Sequence, residues 1–127
     1  MKKIFMILLS LALASCIHQN VKTESTYLDD YSFEEVWRAA IRAVNDIDFT
    51  IDSIDKDAGF IGAESGTQIG QEVPPRMSII ITEERRRVFI DCKVLQKEQY
   101  FDILGHGRRT IQKFMTALNA NLHQQYR

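Results

Sequence analysis

The chain has 127 residues and a formal net charge of −1, with 16 basic side chains set against 17 acidic ones. That length suits one domain and not two. The near balance of charge lacks the basic excess that a nucleic-acid binder presents.

The first sixteen residues, MKKIFMILLSLALASC, divide into a basic start (Lys2, Lys3), an apolar run from Ile4 to Ala14 and small residues before Cys16. A cationic start followed by an apolar stretch of roughly 7–15 residues is the layout of an export signal. The run is also well short of the roughly 20 residues a spanning helix needs. Leu13-Ala14-Ser15-Cys16 resembles a bacterial lipobox, which implies a diacylglycerol on the Cys16 thiol and cleavage between Ser15 and Cys16. Small side chains at 14 and 15 let an extended backbone enter a narrow protease site, and only a thiol serves as the alkylated nucleophile. The competing reading is an ordinary secretory signal with a chance cysteine after a small-residue site. One acyl chain holds a protein only reversibly, whereas two or three on one residue retain it. Cys16 is therefore expected to be an anchor and not a catalytic group. In a two-membrane host, Ile17 in place of aspartate implies sorting to the outer membrane, facing the periplasm.

Loss of residues 1–15 leaves 112 residues and, without Lys2 and Lys3, a formal charge of −3. With Cys16 modified, only Cys92 remains, so no internal disulfide can form although export leads to an oxidising compartment. Cys92 shares an alternating face with Val88, Ile90 and Val94 and reads as a small buried hydrophobe.

Residues 17–26 are polar and read as a tether, with the alternative that 21–27 pair as a first strand. Fully extended, about ten residues would reach roughly 35 Å. Ser32 and Glu35 form a capping-box pattern, and Tyr31 and Val36 sit where a hydrophobic staple would. Phe33, Val36, Trp37, Ala40, Val44 and Ile47 follow with helical spacing, while Glu34, Arg38 and Arg42 fall largely outside the stripe. This predicts a helix from Phe33 to about Asp46. Phe49 to Ile54 then alternates imperfectly, residues 55–59 (DKDAG) form a turn whose glycine suits a positive φ, and Phe60 to Glu64 returns. Residues 65–75 carry two glycines and two prolines and read as a long loop. A second hairpin runs from Arg76 to Thr82, through a charged corner at 83–86, and from Arg87 to about Gln96. Tyr100, Phe101, Ile103 and Leu104 make an apolar connection ahead of Gly105-His106-Gly107. Ile111, Phe114, Met115, Leu118, Leu122 and Tyr126 then trace one helical stripe starting near Arg108.

The expected class is α+β: an antiparallel sheet of four to five strands with two helices on one face, in the order (β)-α-β-β-β-β-α. The expected divisions are a signal peptide at 1–15, a lipidated cysteine and tether at 16–30, and a single domain at 31–127.

Little in the sequence points to catalysis. His18, His106 and His123 have no metal-ligand spacing. His106 is the one residue that merits a catalytic test, because flanking glycines would leave its ring accessible; a loop or cap role is the plainer reading. Asp46, Asp48, Asp52, Asp55 and Asp57 invite a calcium loop, yet an EF-hand needs glycine at the sixth place and glutamate at the twelfth. From Asp55 the glycine comes fifth and the twelfth residue is Gly66. Gly62, Gly66 and Gly70 lack the Lys-Ser/Thr of a phosphate loop and read as flexibility. Ser53, Ser65 and Ser78 stand in no nucleophile elbow. Arg85, Arg86 and Arg87, with Arg108, Arg109 and Lys113, suit anionic lipid or cell-wall carboxylates, although Glu83 and Glu84 beside the first group favour a solvated turn. The expectation is no enzyme activity, no metal and no cofactor.

The stretch YSFEEVWRAAIRAVNDIDFTIDSIDKDAGFIGAE, residues 31–64, resembles small bacterial envelope lipoproteins. Its nearest analogue is one domain of the C lipoprotein of the outer-membrane β-barrel assembly machinery. The resemblance implies a helix-grip-like α+β fold. The leading expectation for function is a non-catalytic protein-interaction module, held to the membrane by its lipid and touching another envelope protein. Tyr100, Phe101, Ile103 and Leu104, a sheet edge and the 65–75 loop are the expected contact surfaces. The alternative is a periplasmic carrier of a small ligand or lipid, with a pocket under the last helix lined by Phe89, Phe101, Phe114 and Met115.

Overall fold

The computed structural model describes residues 20–66, 75–96 and 106–124. The elements are β1 (Asn20–Leu28), α1 (Phe33–Asp46), β2 (Phe49–Asp55), β3 (Phe60–Ser65), β4 (Arg76–Glu84), β5 (Arg87–Gln96) and α2 (His106–Gln124). The strands form one antiparallel sheet in the order β1-β5-β4-β3-β2. Consecutive strands β2 to β5 form a meander, and β1 lies beside β5. α1 crosses back over the sheet to connect the two edges.

α1 begins where the sequence predicts. Ser32 is extended and its hydroxyl accepts from the Glu35 N–H, satisfying one of the donors that a helix start leaves open. Glu34 and Glu35 in the first turn suit the positive end of the helix dipole. Val36, Trp37, Ala39, Ala40, Ala43 and Val44 face inward. The alanines let α1 approach α2 closely, and Asn121 on α2 donates to Asp46 at the end of α1 (2.8 Å).

One face of the sheet completes this core. Ile61 and Ala63 of β3, Met77, Ile79 and Ile81 of β4, and Val88, Ile90, Cys92 and Val94 of β5 are buried under α1 and α2. Ile111, Phe114, Leu118 and Leu122 bring the α2 stripe onto the same cluster. Phe114 is fully enclosed.

The structure revises two boundaries and the role of one glycine. β1 realises the strand alternative for 21–27 and extends it to Asn20 and Leu28, so the sheet takes in residues read as tether and starts well before 31. α2 starts at His106 and not near Arg108, which takes His106 and Gly107 into the first helical turn. Gly62 is buried within β3, where a Cβ would stand 3.2 Å from the Phe60 ring and from Ser53 Cβ. Close packing, and not flexibility, explains that glycine. The turn glycine is as expected: Gly59 has φ +69°, and a Cβ there would meet the Ile81 carbonyl oxygen. The Ile81 N–H donates to the Gly59 oxygen at 2.8 Å, so this turn is pinned against β4.

Candidate functional site: the open face of the sheet

Both helices cover one side of the sheet. Residues that alternate with the core therefore stand on the opposite side: Phe89, Asp91, Lys93 and Leu95 on β5, Ile80 and Thr82 on β4, Phe60 on β3 and Tyr27 on β1. Register sets them in two rows. Tyr27 pairs with Phe89, which pairs with Thr82; next to these, Asp91 pairs with Ile80, which pairs with Phe60.

The Tyr27 and Phe89 rings are 5.0 Å apart and tilted by 51°, and the Arg87 guanidinium lies 5.0 Å from the Tyr27 ring centroid. Tyr27 is 47% exposed and Ile80 39%. Ile54, the third strongly exposed large apolar side chain among the described residues, lies on the edge strand β2 beyond the irregularity between Ile51 and Ser53. Ile54 lies opposite the core residue Ile61 and is not part of the open face, where Tyr27 and Phe89 in one row and Ile80 and Phe60 in the next are diagonal neighbours among polar side chains.

The basic groups around these side chains are matched. Arg76 grips Asp52 with two hydrogen bonds, at 2.8 and 2.9 Å, and reaches Glu64 at 3.9 Å. The Asp52 bonds hold the Arg76 guanidinium above its ordinary pKa. Arg87 donates to Asp29 at 2.7 Å, and Lys93 stands 3.7 Å from Asp91. Each pair is solvent-facing and contributes about 1 kcal/mol at most. Each basic group on the face is thus held by a carboxylate, while Glu64, Glu84 and Asp55 leave the face with an acidic excess.

A second feature is a shallow, open groove of about 540 Å³ at the turn end, lined by Phe33, Lys56, Gly59, Ile81 and Glu83 among others. Its walls come from α1 and the hairpins and not from α2. Beside it the Lys56 ammonium bonds Glu34 at 2.5 Å and holds that carboxyl below its usual range.

Of the expected site residues, Ser15 and Cys16 lie outside the described residues, as do Tyr100, Phe101, Ile103 and Leu104. His106 is the first residue of α2, and His123 is exposed on its last turn. Phe89 and Phe114 stand on opposite sides of the sheet, so they do not line one pocket. Met115 is half-buried against the core. Burial first, then Asp91 and Glu24, push the Cys92 thiol up to about 12, so it stays protonated and unreactive near neutrality. Among the described residues no group of three or more His, Cys, Asp or Glu is placed to hold a metal ion. The aspartates serve locally instead: Asp55 accepts from the Ala58 N–H in the hairpin turn, and Asp52 holds Arg76. No described helix is long and apolar enough to cross a membrane.

Arg85 and Arg86 form the two-residue β4–β5 turn with φ of 46° and 71°. This left-handed pair closes a hairpin with the right twist, in positions that favour Asn-Gly. The open-face patch itself was not singled out from the sequence. Its signal was present in β5, where Phe89 alternates with the Val88, Ile90, Cys92 and Val94 series.

No protein family and no curated protein matches the chain at a significant level. Solved structures do. An uncharacterized Bacillus thuringiensis protein aligns with a TM-score of 0.58 at 10% identity, covering 83% of this chain and 98% of that one. Ara h 8.0201 aligns with a TM-score of 0.59 at 14% identity, covering 83% and 97%. At such identities the likeness shows a shared fold alone.

Proposed function

We propose that this protein is a lipid-anchored, non-catalytic interaction module of the bacterial cell envelope, attached through Cys16 and facing the periplasm from the outer membrane. The observation that carries the reading is Leu13-Ala14-Ser15-Cys16, which closes a basic-then-apolar leader directly ahead of a folded body. The resemblance of residues 31–64 to small envelope lipoproteins supports it. So does the character of the body, whose remaining thiol is sealed in the core and whose open sheet face carries exposed apolar side chains suited to meeting a protein or a membrane. Exposed apolar patches on small domains mark contact surfaces.

Co-purification tests the reading. The acylated protein, extracted from membranes in mild detergent, is expected to bring down one envelope protein in stoichiometric amount. Replacing residues 1–16 by an ordinary cleaved secretory leader should leave the chain in the soluble fraction and lose that partner. Recovery of nothing above background would remove the interaction-module reading.

A further inference from the structure

We propose that the open face of the sheet is the surface on which the body lies against the bilayer holding its anchor, an inference that rests on the lipid-anchor reading of Cys16. The chain length sets the geometry. β1 is paired with β5 from Asn20↔Gln96 onward, so only residues 17–19 separate the modified cysteine from the sheet. At roughly 3.3–3.6 Å per residue, that leash keeps Asn20 within about 14 Å of the lipid attachment. A body tied this closely by an edge strand is not held clear of the headgroups.

The surfaces it can turn toward lipid differ in chemistry. The outward sides of the helices are polar, with Arg38 and Arg42 on α1 and Arg108, Arg109, Gln112, Lys113, Thr116 and Asn119 on α2 exposed; they offer charge to anionic headgroups but no apolar surface. The open face instead offers Tyr27, Phe89, Ile80 and Phe60 side by side. Aromatic side chains favour the headgroup level, where the ring body is sheltered and a polar tip stays wet. The basic groups on this face are each paired, Arg76 with Asp52, Lys93 with Asp91 and Arg87 with Asp29, while Glu64, Glu84 and Asp55 add further carboxylates to it. A matched pair disturbs a headgroup layer less than two isolated charges do. In this pose the helices face the aqueous compartment and stay available to a protein partner.

The test uses the acylated full-length chain, its mass verified, in vesicles of phosphatidylethanolamine and phosphatidylglycerol containing spin-labelled lipid. A fluorophore is placed on S25C, which lies opposite Asp91 on the open face, or on T116C, exposed on α2. Cys92 is buried and does not compete for the label. Quenching at Ser25 is expected to exceed that at Thr116 severalfold, and Ile80→Asp is expected to abolish the difference. Equal quenching at the two sites in acylated protein would overturn the pose while leaving the anchor intact. Persistence of the difference in Ile80→Asp would show that the leash alone, and not the apolar patch, sets the orientation. A mass lacking acyl chains would overturn the proposed function itself, and the leash argument with it.

Discussion

Ile79 and Ile80 are neighbours in β4 and belong to different surfaces. Ile79 is 0% exposed beneath the helices, whereas Ile80 is 39% exposed on the open face. The alternation of the strand places one in the core and the other on the surface. The same division runs through β5, with Val88, Ile90, Cys92 and Val94 on one side and Phe89, Asp91 and Lys93 on the other. In this small sheet the covered face supplies the apolar burial that holds the fold, and neither helix covers the open face.

Truncation on the covered side should have the largest effect. Phe114→Ala is expected to destabilise by about 3–5 kcal/mol, read from urea or thermal unfolding, because it empties the centre of the helix–sheet interface. Ile79→Ala should lose about 2–4 kcal/mol, whereas Ile80→Ala should change stability by less than about 1 kcal/mol. Equal losses at these two positions would break the distinction between the faces.

Gly59→Ala tests the turn that pins the β2–β3 hairpin. A Cβ would collide with the Ile81 carbonyl at a positive φ, so a loss of about 2–3 kcal/mol is expected by the same unfolding measurement. At the opposite hairpin, replacing Arg85-Arg86 by Asn-Gly should stabilise by about 1 kcal/mol, since arginine adopts a left-handed conformation there at some cost.

One effect is absent at neutral pH and appears only in alkali. The Cys92 thiol titrates near 9.0 in the unfolded chain and near 12 in the folded one. Its contribution is therefore fully present below pH 9 and is lost as pH rises from 9 toward 12. Cys92→Ala should flatten that alkaline loss, and the native thiol should resist alkylation at pH 8 until the chain unfolds.

Much of this arrangement was legible in the sequence where two signals coincide. α1 follows from a cap, a staple and a stripe, and its bounds are Phe33 and Asp46 as the sequence indicates. The hairpins follow from alternation together with a turn, at Gly59 and at Arg85-Arg86. β1 was less legible because it is an edge strand: Thr23, Glu24, Ser25 and Thr26 are exposed, so alternation writes no clear pattern there. The start of α2 was obscured by Gly107, a residue that ordinarily argues against a helix and here is buried in its first turn. The open-face patch was hidden for another reason. Tyr27, Phe89, Ile80 and Phe60 come from four strands and become neighbours only through register. Gly62 shows the same limit, since its role depends on the Phe60 ring and on Ser53 across the strand pair.

The proposed membrane attachment lies at the amino terminus of the mature chain. Intact-mass and peptide analysis of protein taken from its native membrane is predicted to find Cys16 as the first residue, carrying a diacylglyceryl thioether. A chain that retains residues 1–15, or one that starts elsewhere with a free Cys16 thiol, would contradict it.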